Sequence, residues 1–272
     1  MSEARTRAAV AVIISVYECD EPALFLRALD SLDRQDYAGG PIRIYLCVDG
    51  PVPGRIADIV ASRCFYRVVR NATRLGLAHS LNRLLDSLED ECFVFRMDSD
   101  DQSRPHRITR QLAEMRRRPE LDILGAGIAE VTPQGVSLRT VMYPTGYPEV
   151  LNLMTWRSPL AHPTVCFRRR AIRRFRHYPE VHAAQDWALW FRCQELGLQM
   201  GSVPEVLLDM TISENFFGRR GPKRAWEEFR IVAGGIRRTR GITWRYVHPL
   251  VRLVFRLMPT WLVRRAYASR LR

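Results

Sequence analysis

Apolar and polar positions alternate in blocks along the first half of the chain. Val10 to Val16 is a continuous apolar run of strand length, and Asp20 with Pro22 then opens a helix on which Phe25, Leu29 and Leu32 recur at helical spacing. The stretch from Asp36 to Pro41, with its two glycines, closes that helix. Ile42 to Val48 reads as a second strand ending at Asp49-Gly50, and Phe65 to Val69 as a third. Leu77, Leu81, Leu84, Leu85 and Leu88 form one face of another helix, which leads to an apolar run, CFVFRM, that stops abruptly at Asp98, Ser99, Asp100 and Asp101. Ser103, Pro105 and Arg107 look like the next helix start, Ile108, Leu112 and Met115 mark its face, and Leu121 to Val131 is a further strand. Prolines at 133, 144, 148, 159 and 163 then break the regularity, as expected where loops build a pocket. Asp186 opens an amphipathic helix bearing Trp187, Trp190 and Phe191 and ending at Gly197.

Strands alternating with helices at this pace predict an α/β fold with a doubly wound, mostly parallel, Rossmann-like sheet. In such sheets the ligand binds beyond the carboxyl ends of the strands. Tyr17, Asp49 and Asp98 all fall where strands end, so one sheet edge is expected to carry the site.

Composition narrows the setting. The 272 residues are 47% apolar, enough for a globular chain with a sizeable core. Six cysteines are scattered singly without metal-ligand spacing, which predicts neither a disulfide framework nor a zinc site and fits a reducing, cytoplasmic setting. Residues 1 to 17 read as the approach to a buried strand, not as a signal peptide, for they lack a small-residue cleavage site. The net charge of +13 is unevenly placed: from Arg219 onward there are 15 basic residues against Glu227 and Glu228 alone, and the rest of the chain is neutral. Lys223 is the only lysine. A nucleic-acid enzyme would spread its cations around the cleft, so nucleic acid is an unlikely partner and the basic segment is expected to act as a separate adhesive.

In that segment Trp226, Phe229, Ala233 and Ile236 fall on one helical face, and Arg245, Arg252 and Arg256 on one stripe among Trp244, Leu250, Val254, Leu257, Met258 and Trp261. Pro249 and Pro259 cut it into short pieces, and arginines interrupt every apolar run long before the ~20 residues of a spanning helix. Short basic amphipathic helices with tryptophan lie in the membrane interface. The expectation is a protein peripheral on the inner face of the membrane through residues 219–272, as against a helical cap packed on the domain with its arginines outward.

Carboxylates two apart in an extended segment can converge on one hard cation while a diphosphate supplies oxygens from the other side. Asp98 and Asp100 have that spacing; Asp101 is either a further ligand or a cap for the next helix.

Six blocks together carry a resemblance: AVIISVY at 11–17, VDG at 48–50, RLGLAHSLN at 74–82, FRMDSDDQSRPHR at 95–107, AHPTVCFRRRAI at 161–172 and AQDWALW at 184–190. The chain resembles a family 2 glycosyltransferase of the GT-A fold, in the bacterial branch that builds surface polysaccharide, over roughly residues 8–217. The resemblance implies a nucleotide-sugar-binding half, 1–125, an acceptor-binding half, 126–217, and a C-terminal helical extension, 218–272. It implies that Tyr17 and Asp49 meet the nucleobase, that Asp98 and Asp100 serve ribose and metal (Mn²⁺ or Mg²⁺), and that His162, Gln185 and Trp187 line the sugar or acceptor pocket. Asp186 would be the catalytic base, although a helix start favours its anion and tends to lower its basicity. Two departures stand out: Gln185 replaces the first member of an acidic pair, and Arg74 stands where the family often has asparagine.

The activity implied is inverting transfer of one sugar from a UDP, GDP or dTDP sugar to a glycan or polyprenyl-linked acceptor. The QxxRW element of processive synthases is absent from the sequence. A sugar-phosphate nucleotidyltransferase would need a glycine-rich phosphate loop after the first strand, where this chain has SVYECDEP. A non-enzymatic polyanion binder would rest on the basic segment alone.

Overall fold

In the computed structural model, which describes residues 9–212 and 221–257, the first apolar runs become β1 (Val10–Tyr17), β2 (Ile42–Asp49) and β3 (Arg67–Asn71). β3 starts two residues later than the apolar run suggests, because its register against β2 carries it on to pair Asn71 with Asp49. Helices α1 (Pro22–Asp33), α2 (Gly54–Ser62) and α3 (Leu77–Asp86) connect these strands and lead to β4 (Phe93–Arg96). The next elements are β5 (Gln102–Ser103), α4 (Arg107–Arg117), β6 (Ile123–Val131), β7 (Ser137–Val141) and α5 (Tyr147–Leu153). Then come β8 (Cys166–Arg168), α6 (Arg169–Phe175), α7 (Gln185–Glu195), β9 (Met200–Thr211), α8 (Pro222–Arg240) and α9 (Val247–Leu257).

All the strands form one sheet in the order β3-β2-β1-β4-β8-β6-β9-β5, with β7 paired on β6. β1 to β4 are parallel; β8 is antiparallel to both β4 and β6, and β9 is parallel to β6. The expected division at residue 125 falls inside β6, so both halves share one continuous sheet. Strand order reverses between β1 and β4, which opens a crevice at their carboxyl ends.

Alternate residues of β1 feed two cores. Val10, Val12, Ile14 and Val16 meet α1, α2 and α4 on one face, while Ala11 and Ile13 belong to the cluster containing α3 and α5 to α8. α7 is more deeply buried than an amphipathic surface helix: Trp187, Leu189, Trp190, Phe191 and Cys193 are all covered. The cover is α8, whose Gly235 approaches Phe191 so closely that a Cβ there would lie 2.3 Å from the ring.

That close approach decides which side of α8 turns inward. Ala225, Glu228, Val232, Gly235 and Ile236 are buried, whereas Trp226, which periodicity groups with Ile236 on one face, is exposed and stacks on Phe229 at 5.2 Å. The described part of the basic segment is therefore not detached from the domain, since Val232 and Ile236 belong to the main core.

α9 reverses the expected polarity. Arg252 pairs with the buried Glu228 and lies over the Trp187 ring, Arg256 pairs with the same carboxylate at 2.8 Å, and Leu250, Val251, Val254 and Leu257 face outward. A carboxylate buried on α8 requires counter-charges, so the arginine stripe turns in. Met258, Pro259 and Trp261 lie outside the described residues. Gly235→Val is expected to lower stability by about 1–3 kcal/mol, read as an earlier midpoint in urea unfolding.

Candidate active site

At the carboxyl edge, Tyr17, Asp49 and Asn71 sit in register on three adjacent strands. Tyr17 and Asp49 open on a cleft of about 910 Å³ that also receives Asp20, Arg96, Asp98, Asp100, Asp101, His162, Gln185 and Asp186. This volume is in the range of small-ligand pockets.

Asp49 is buried, and its carboxylate is already engaged: it accepts the Leu75 and Gly76 N–H groups, each at 2.8 Å, and the Asn71 amide at 2.7 Å. It thereby fixes the loop entering α3, where Gly76 has φ +95°, a left-handed conformation that suits glycine. Beside it the Arg74 guanidinium lies 4.6 Å over the Tyr17 ring and 3.3 Å from Glu18. The arginine that departs from the family pattern thus builds a cation–π wall at one end of the cleft.

Asp98, Asp100 and Asp101 converge, each offering an oxygen within 4.8 Å of the others. Asp101 does not cap α4. It is buried, accepts the Thr211 N–H at 3.0 Å through Oδ1, and leaves Oδ2 without a partner. Burial, then the charges of Asp98 and Asp100, push its carboxyl well above the usual range. A divalent cation would relieve both the repulsion and the orphaned oxygen, so this donor set fits Mn²⁺ or Mg²⁺. Asp20, read from sequence only as a helix opener, accepts from the Tyr17 N–H and the Ser99 hydroxyl and so ties the β1 loop to the acidic turn.

Across the cleft, Asp186 occupies the first turn of α7. Its Oδ2 accepts the Ser158 hydroxyl at 2.8 Å, and Ser158 in turn accepts the Trp190 indole N–H at 3.0 Å. Burial raises the Asp186 pKa, overriding the hydrogen bonds from Ser158 and from the backbone at Trp187. The outcome is opposite to the lowered basicity expected from a helix start alone, because desolvation outweighs the helix terminus. Gln185 also lines the cleft.

His162 lines the cleft and bonds the Tyr178 hydroxyl at 2.9 Å; burial and Arg96 hold its pKa well below the usual value, so it is neutral. Trp187 is a correction. It is buried, its indole N–H donates to the Met154 carbonyl at 2.7 Å, and Arg252 covers its ring, so it faces the core and not the cleft. A step of 100° along the helix separates it from Asp186.

Sequence reasoning passed over Arg96, Ser158, Tyr178 and Thr211. Only Arg96 left a signal, two residues before Asp98 and therefore on the same strand face.

Residues 11–176 match the model of the glycosyl transferase family 2, and the chain belongs to that family. An uncharacterized glycosyltransferase of Haemophilus influenzae is 28% identical over 96% of this chain and 98% of its own. The UDP-Gal:alpha-D-GlcNAc-diphosphoundecaprenol beta-1,3-galactosyltransferase of Escherichia coli is 27% identical over 77% of this chain and 76% of its own. Among solved structures, the mannosyltransferase PcManGT of Pyrobaculum calidifontis, in complex with GDP-Man and Mn²⁺, superposes with a TM-score of 0.65 at 16% identity, covering 98% of this chain and 82% of that one. The fold is GT-A, and the protein is a glycosyltransferase. Asp101→Asn is expected to weaken Mn²⁺ binding by ~10-fold or more, at least the cost of losing an outer-shell partner, as measured by isothermal titration.

Proposed function

We propose that this glycosyltransferase moves one sugar from a nucleoside-diphosphate sugar to a hydroxyl of a lipid-linked glycan, with inversion and with help from a divalent cation. The observation that carries the reading is Asp186, a carboxylate of raised pKa facing the Asp98–Asp101 cluster across one cleft. The E. coli relative, named for a diphosphoundecaprenol acceptor, supports the acceptor class, and the Mn²⁺ complex of the archaeal neighbour supports the cation.

Asp186 takes the proton of the acceptor hydroxyl, whose oxygen bonds the anomeric carbon as the bond from that carbon to the diphosphate oxygen breaks. Ser158 fixes the carboxylate, and neutral His162 offers a hydrogen bond to the sugar without exchanging protons. Tyr17 and the Arg74 guanidinium border the nucleobase, and Asp49 presents the loop beneath it. Asp100 and Asp101, with Asp98 beside them, would hold the cation, which when bound neutralises the departing nucleoside diphosphate.

A lipid-linked acceptor places the enzyme at a membrane surface. Among the described residues no helix is long and apolar enough to cross a membrane. α9 instead turns an apolar stripe outward, continued by Ile242, 96% exposed, and Trp244, 70% exposed. Exposed Arg230 and Arg237 lie on α8. The membrane contact is thus apolar insertion flanked by cations, on the cytoplasmic face.

The test is release of nucleoside diphosphate from UDP, GDP and dTDP sugars with Mn²⁺, Mg²⁺ or EDTA, using membrane extract as acceptor source. Asp186→Asn should lower kcat by about 10²–10⁴-fold with little change in donor KM; full retention of kcat would remove Asp186 as the base. The acid limb of kcat against pH should lie above the ordinary aspartate pKa of 3.8, activity falling as the carboxylate takes up its proton. Ser158→Ala, which deletes a bond favouring the anion, should move that limb to higher pH. Leu250→Glu with Val254→Glu should cut flotation with phosphatidylglycerol vesicles by about tenfold and leave the melting temperature unchanged.

A further inference from the structure

Arg96 ends β4 with its side chain 1% exposed, at the floor of the cleft. Residues 94, 96 and 98 share one face of an extended chain, so the guanidinium meets the Asp98 carboxylate directly. The pair is bidentate: one terminal nitrogen donates to Oδ2 at 2.8 Å and the other to Oδ1. The Arg96 backbone is fixed from both sides, its N–H donating to the Val165 carbonyl at 2.9 Å and its carbonyl accepting from the Arg107 guanidinium at 2.7 Å. Arg96 Nε is buried without a partner, which shows that the side chain is placed for its terminal nitrogens.

The consequence falls on the acidic cluster. Three carboxylates share one small volume, and Asp98 has both oxygens committed to an internal cation. Asp101 keeps an oxygen with no hydrogen-bond partner.

We infer that Arg96 is a positioning residue that divides the acidic cluster, holding Asp98 as a fixed, charge-compensated acceptor for donor hydroxyls and leaving the divalent cation to Asp100 and Asp101. A guanidinium suits this role because its planar fork sets the orientation of the carboxylate, which an ammonium does not. The inference rests on the glycosyl-transfer reading above.

The consequence is counterintuitive: removing Arg96 frees a carboxylate, so cation binding should tighten while turnover falls. The experiment titrates Mn²⁺ into the full chain, following the free ion by electron paramagnetic resonance, and measures donor turnover on the same samples. Arg96→Met should bind Mn²⁺ on the order of tenfold more tightly, as expected for an added uncompensated carboxylate, and lose about 10–100-fold in kcat/KM. Adding Asp98→Asn to Arg96→Met should return Mn²⁺ affinity to the wild-type value, a coupling that general damage to the fold would not produce. Arg96→Lys, keeping the charge but not the fork, should bind Mn²⁺ like the wild type and still turn over slowly. If Arg96→Met does not fold, Arg96→Gln carries the same expectation.

Unchanged or weaker Mn²⁺ binding in the charge-removing variant, or failure of Asp98→Asn to reverse a gain, overturns the inference. So does a wild type that turns over a donor without binding Mn²⁺. A wild type that neither binds Mn²⁺ nor turns over any donor sinks instead the glycosyl-transfer reading itself.

Discussion

Parallel strands deliver their carboxyl ends to one edge, and in this protein that edge collects more negative charge than a half-buried site tolerates unaided. Asp98, Asp100 and Asp101 meet within 4.8 Å, with Asp49 and Asp186 on the walls of the same cleft. Each is managed differently. Asp49 is quenched by three N–H donors, Asp98 by the Arg96 fork, and Asp186 by a single hydroxyl and three weaker influences. Asp101 Oδ2 is left without a hydrogen-bond partner and Asp186 with a raised pKa, which suits them to the metal-binding and proton-accepting roles proposed above.

The same accounting extends to the wall of the cleft formed by α7. α7 carries Asp186 toward the cleft and Trp187 toward α8 and α9, where Arg252 caps the ring while pairing with Glu228. The C-terminal helices thereby pack against the helix that carries Asp186. Because Glu228 draws two arginines inward, the outer face of α9 is left apolar.

Much of this was legible in the residues. Strand and helix alternation, the shared edge of Tyr17, Asp49 and Asp98, and the placement of His162, Gln185 and Asp186 in one cleft follow from periodicity and from the family's six blocks. Trp187 and the inner face of α8 did not follow. Periodicity states which positions share a side of a helix, and it does not state which side a second helix covers; the approach of Gly235 to Phe191 settled that. The arginine stripe failed for a related reason, since its partner Glu228 lies 24 residues away in sequence from Arg252.

By itself, then, the sequence determined the α/β architecture, the sheet edge that carries the cleft, and the residue types available there, because these depend on local spacing and strand direction. Tertiary structure alone decided how each carboxylate behaves: that burial raises Asp186 against its helix terminus, that Asp101 is an orphaned acceptor rather than a cap, and that Arg96 spends its charge on Asp98. Desolvation and pairing are properties of what surrounds a group in space, and those surroundings come from strands and helices distant in the chain.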